Sequence, residues 1–106
     1  DKHVATQKYR NAGEDKAMHF PGFHVEAARL LMEDGNAVGI ASDTLSLDFG
    51  KSPDFAVHYA WLASGHWGIE CIANLDSLPA KGATIFVGAL KVRGGTGGPC
   101  RILAMT

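Results

Sequence analysis

The sequence predicts an α/β fold, a mixed sheet with packed helices, on three observations. Apolar residues recur at helical spacing from Val25 to Met32, and Ser52-Pro53-Asp54 is a strong signal for the start of a second helix. Short apolar or β-branched runs, bounded by glycine and proline, alternate with these helices. With 106 residues, 46% of them hydrophobic, the chain can build one ordinary core and is too short for two domains.

Residues 1–20 are polar without a sustained period, and Asn11-Ala12-Gly13-Glu14-Asp15 reads as a turn, so an irregular arm is expected there, followed by an α/β core over 21–106. Val25, Ala28, Leu31 and Met32, with strong helix formers between them and Gly35 as the stop, predict a helix over 24–34. Ala37-Val38-Gly39-Ile40-Ala41 is too short for a helix and suits a buried strand. The polar loop Ser42 to Asp48 then lies at a strand's C-terminal end, where open α/β sheets gather their ligand sites.

Ser52 as a cap, Pro53 at the first helical position and Asp54 at the positive end of the dipole predict a helix over 53–63. Trp67 to Cys71 reads as a strand, Leu75 to Leu78 as a short helical turn closed by Pro79, and 83–92 as the longest strand. The turn Gly94-Gly95-Thr96-Gly97-Gly98-Pro99 joins that strand to 100–105 in an antiparallel ribbon. It lacks the Lys-Ser/Thr of a phosphate loop and leads into a strand, so a plain hairpin turn is the better reading.

Ten Lys plus Arg against eleven Asp plus Glu give a net charge of -1, with no polybasic run, which argues against nucleic acid as a partner. No apolar run approaches the roughly 20 residues that span a bilayer, so no membrane is implied. Cys71 and Cys100, far apart in sequence, read as buried free thiols, which favours a reducing, cytoplasmic setting. Asp1-Lys2-His3 is nothing like a secretory signal, and a start on Asp rather than Met leads us to expect further sequence upstream. No G-x-S-x-G elbow is present and neither cysteine has a histidine nearby in sequence, so nucleophilic catalysis gains no local support.

The residues that could carry chemistry are His58 and Glu70. His58 shares a helix face with Phe55 and Leu62, so its imidazole is expected to point inward and need a partner. Glu70 falls in an apolar strand, where a carboxylate is costly unless paired or bound to a metal. A strand that follows a helix directly can pack on it, which would join the two groups in a hydrogen bond or in half of a coordination sphere. The residues alone favour the hydrogen bond. His66, after Gly65, is expected in an exposed turn, His24 at a helix entrance, and His3 and His19 without ligand partners.

Phe20-Pro21-Gly22-Phe23, Asp43-Thr44-Leu45-Ser46-Leu47-Asp48, Asp54-Phe55-Ala56-Val57-His58, Glu70 and Ala73-Asn74-Leu75-Asp76-Ser77-Leu78-Pro79 follow one another in an order that resembles the C-terminal half of the cyclase family. That family includes kynurenine formamidases and isatin hydrolases, and its closing glycine-rich turn before an arginine is similar to Gly97-Gly98-Pro99-Cys100-Arg101. The resemblance implies a swivelling β/β/α cyclase-like fold, metal-dependent hydrolysis of an amide or cyclic amide, and a homo-oligomer acting on a small molecule. It also implies that His58 and Glu70, twelve residues apart, are ligands of a divalent zinc or manganese ion. The remaining ligands and the catalytic histidine of such enzymes come from an H-x-G-T-H-x-D-x-P-x-H motif, which no segment here matches, so no catalytic residue is assigned and the chain alone is expected to be inactive. The alternatives are a non-catalytic scaffold or binding domain, and one chain of a site completed by a partner.

Overall fold

Gly35 adopts a left-handed backbone, φ 71°, and donates its N–H to the Met32 carbonyl, closing a helix over Val25–Asp34 as its sequence predicts. In the computed structural model, which describes residues 7–106, this helix is α2. It follows α1, Gln7–Arg10, and is followed by β1 (Gly39–Ala41), α3 (Ala56–Ala63), β2 (Trp67–Ile69), a 3-10 turn at Leu75–Ser77, β3 (Thr84–Ala89) and β4 (Cys100–Met105). The chain divides into two compact units, Asp1–Ala73 and Asn74–Thr106.

In the first unit β1 and β2 pair in parallel, Ile40 opposite Gly68, and α3 is the crossover that this pairing requires. Gly39 lies opposite Trp67, and a Cβ at Gly39 would run into the Trp67 indole, so that position has room for glycine alone. The core gathers Ala28 of α2, Ile40 of β1, Leu47 of the following loop, and Val57 and Trp61 of α3. Trp61 is fully buried, and its indole N–H donates to the Trp67 carbonyl at 2.9 Å, so its one polar atom is satisfied.

Three expectations need correction. The second helix begins at Ala56, not Pro53: Ser52 accepts the Phe55 N–H at 3.2 Å, but Phe55 then turns left-handed at φ 50° and delays the helix. The buried stripe of α3 is Val57 and Trp61, so Phe55 and Leu62 are exposed and His58 stands half-buried at the edge of the core. Cys71 and Cys100 are free, as expected, but exposed rather than buried. Cys71 lies past the end of β2, in a left-handed conformation at φ 55° that takes it out of the strand.

The arm is more structured than its composition suggests. Beyond the helical turn α1, Ala12 and Met18 form an antiparallel bridge, and the Tyr9 hydroxyl donates to the Asp43 carbonyl. Burial foremost, then a hydrogen bond with Cys71 and the charges of Cys71 and Asp43, raise the Tyr9 pKa. His3 and the rest of residues 1–6 lie outside the described residues.

The second unit is the antiparallel ribbon read from the sequence, six residue pairs from Thr84–Met105 to Ala89–Cys100. Phe86, Leu103 and Met105 line one face, and Ile85, Val87 and Ile102 the other, so neither face is polar. The connection is a hairpin loop in which Gly94 takes φ 73° and Gly95 donates to the Val92 carbonyl.

Candidate functional site

The loop after β1 is held by the segment before α2. Phe23 donates to the Leu47 carbonyl at 2.8 Å and Gly50 to the Phe20 carbonyl at 2.9 Å, which clamps Leu47 to Gly50 from both ends. A Cβ on Gly22 would meet the backbone of Asp48 and Phe49, so glycine is what lets the two segments approach. Leu47 anchors the loop in the core, and Asp48, 2% exposed, turns inward beside it.

Asp48 is the carboxylate that caps α3. One oxygen accepts the Val57 N–H at 2.9 Å, and the other accepts the His58 N–H at 3.1 Å and contacts the His58 ring at Nδ1, 2.6 Å away. Burial works against its charge, but the His58 ring hydrogen bond, the two backbone N–H groups and the imidazole's charge outweigh burial and hold the carboxyl below its ordinary pKa. Asp48 stands in the Asp43 to Asp48 run, yet sequence reasoning gave the cap to the adjacent Ser-Pro-Asp. A carboxylate ten residues before His58 was the available signal.

Glu70 follows β2 immediately, and β2 packs on α3, so its side chain reaches the far edge of the same imidazole. Its Oε1 accepts the Leu47 N–H at 3.1 Å and lies 3.1 Å from His58 Nε2. The structure thus brings the two sequence-predicted residues together, although Glu70 is more exposed than a strand residue would be, its side chain 37% accessible. The other histidines stay apart: His24 caps α2 by accepting the Glu26 N–H, and His66 is half-buried against Trp61 with Nδ1 on the Ser64 hydroxyl.

His58 therefore stands between two carboxylates, one at each ring nitrogen. A bare Nε2 lone pair and a carboxylate oxygen repel at this distance unless a proton or a metal cation lies between them. Two ligands of one zinc-like ion, each about 2.0–2.1 Å from it, are separated by roughly 2.9–3.4 Å at octahedral to tetrahedral angles. The observed 3.1 Å falls within that interval, so nitrogen and oxygen fit one cation as they stand. Asp48 faces the opposite nitrogen, and among the described residues no cluster of three or more His, Cys, Asp or Glu side chains could hold a metal. The pair could supply two ligands of such an ion.

No protein-family model matches the chain. Among curated proteins it is similar to an isatin hydrolase of Roseibium aggregatum, 32% identical over 109 residues that cover 99% of this chain and 41% of the relative. Among solved structures it is similar to isatin hydrolase A from Labrenzia aggregata bound to benzyl benzoate, with a TM-score of 0.87 and 38% identity, over 97% of this chain and 41% of that one. An isatin hydrolase bound to the product analogue thioisatinate gives a TM-score of 0.88 at 34% identity, over 97% and 40%. Isatin hydrolase A from Ralstonia solanacearum gives 0.81 at 34% identity, over 94% and 39%. The chain has the α/β fold of these enzymes and spans between 39% and 41% of their length.

Proposed function

We propose, for a chain that is an isatin hydrolase-like sequence of the cyclase family, that His58 and Glu70 hold one divalent cation of a hydrolytic site for a small amide or cyclic amide. The observation that carries this reading is the 3.1 Å approach of His58 Nε2 to Glu70 Oε1, with Asp48 behind the ring. A divalent ion in such a site lowers the pKa of bound water and polarises a carbonyl. Zinc and manganese both suit a nitrogen-plus-oxygen donor pair.

The chain's own part is positional. The Leu47 N–H fixes the Glu70 carboxylate, the α3 cap fixes the imidazole, and the parallel β1–β2 pair holds both elements in register. The substrate class is drawn from relatives described as isatin hydrolases: hydrolysis adds water across the lactam, breaking the C–N bond to leave an amine and a carboxylate. With two ligands and no assigned base, the 106-residue chain alone is expected to be inactive. That it completes its site with further polypeptide is favoured over a non-catalytic scaffold, because the matched relatives are more than twice its length.

We also assign it to homo-oligomers, on the apolar residues exposed in the ribbon, and to the reducing cytoplasm, on its two unpaired cysteines. The test is isatin ring opening, followed by absorbance with manganese or zinc present, for the chain alone and for the chain fused to the remaining portion of an isatin hydrolase. Activity in the fusion, abolished by His58→Ala or Glu70→Ala, is expected. A folded fusion whose activity survives both changes contradicts the assignment.

A further inference from the structure

We propose that Asp48 is the positioning residue of this site: it holds the single proton of neutral His58 on Nδ1 and so keeps Nε2 bare on the side of Glu70. This deepens the metal-site reading and rests on it. A neutral imidazole carries one N–H, and here two carboxylates compete for it. The nearer one wins on every count the geometry offers. Asp48 Oδ2 is 2.6 Å from Nδ1, against 3.1 Å from Nε2 to Glu70 Oε1. The Asp48 side chain is 3% exposed and the Glu70 side chain 37%, so water can satisfy Glu70 but not Asp48.

Asp48 is also fixed in orientation by the Val57 and His58 N–H groups, which bond its two oxygens. Glu70 has the Leu47 N–H as its own donor, and its side chain, 37% accessible, is free to turn toward water when no cation lies between it and Nε2. Capping α3 requires only the two backbone N–H groups, so the contact with the ring is additional to the cap. A carboxylate on the far nitrogen of a metal-binding histidine sets the tautomer and makes the free nitrogen a better donor. The arrangement of Asp48, His58 and Glu70 has that form.

The test is long-range proton–nitrogen NMR on the metal-free 106-residue chain with labelled histidine, at a pH where the His58 nitrogen shifts themselves report the neutral ring. The parent chain is expected to show the His58 proton on Nδ1. Asp48→Ser removes the carboxylate that accepts from Nδ1, so the ring proton is expected on Nε2, donated to Glu70. Glu70→Ala leaves the cap untouched and is expected to leave the proton on Nδ1, which keeps the proposal open to refutation if the serine variant does not fold. An Nε2 proton in the parent, an unchanged tautomer in a folded Asp48→Ser, or a switched one in Glu70→Ala overturns it.

A manganese titration of the same samples separates this from the metal reading. Weakening of about 10- to 100-fold is expected in Asp48→Ser, the range for the loss of such a supporting carboxylate. If the tautomers behave as stated and manganese leaves His58 untouched even in the fusion to the remaining portion of an isatin hydrolase, the metal reading falls and the role of Asp48 in setting the tautomer stands. If manganese binds at His58 with equal strength in both, the positioning role falls.

Discussion

At the scale of single residues, Asp48 carries more of the structure than any other polar side chain described. It accepts two backbone N–H groups and meets a ring nitrogen from a nearly dry position, so Asp48→Ala is expected to destabilise the fold by about 2–4 kcal/mol, measured by urea unfolding. Its folded pKa is below the ordinary value of about 3.9, so its contribution is complete above that pH and is lost as pH falls through the folded value. Melting temperature should therefore drop on acidification below about pH 4, and Asp48→Asn should flatten that drop; parallel curves for both proteins would contradict this. The sequence read His58 as a helical imidazole, which it is, and Glu70 as a carboxylate within an apolar strand, which ends one residue before it at Ile69. Asp48 was not legible there, because helix-start rules read the residues adjacent to the helix, and this cap arrives from a loop eight residues upstream of the first helical residue.

At the scale of elements, α3 is held by Val57 and Trp61 rather than by the face that His58 shares with Phe55 and Leu62. Trp61→Ala removes the largest fully buried side chain and is expected to cost about 3–5 kcal/mol, whereas Leu62→Ala, at an exposed position, should cost less than about 1 kcal/mol. Comparable losses in chemical denaturation would contradict the assignment of the buried stripe. Gly39→Ala forces the Trp67 ring aside and should cost about 1–3 kcal/mol by the same measurement. The strands, the α2 boundaries and the ribbon followed from periodicity and turn signals. The helix start did not, since Phe55 turns left-handed after Ser52-Pro53-Asp54 and the first N–H groups of α3 are capped by Asp48 instead.

At the scale of the whole molecule, the ribbon of Asn74–Thr106 exposes Ile85, Phe86, Val87, Leu103 and Met105, more apolar surface than an isolated two-stranded ribbon usually keeps in water. Sedimentation is expected to show association that weakens when Phe86 and Leu103, paired across the strands, are both changed to Lys; a monomeric parent chain would contradict the oligomer assignment. The cyclase-family resemblance was legible in the order of short motifs, while the Phe20 to Phe23 clamp on the Asp48 loop became visible only in three dimensions. What the account most depends on is a cation shared by His58 and Glu70, and a manganese titration of the isotope-labelled chain tests it most directly, because paramagnetic broadening reports even weak binding. Signals of His58, Glu70 and Leu47 are expected to broaden first, and to be spared in His58→Ala. Broadening that begins elsewhere, or that His58→Ala leaves unchanged, would contradict it.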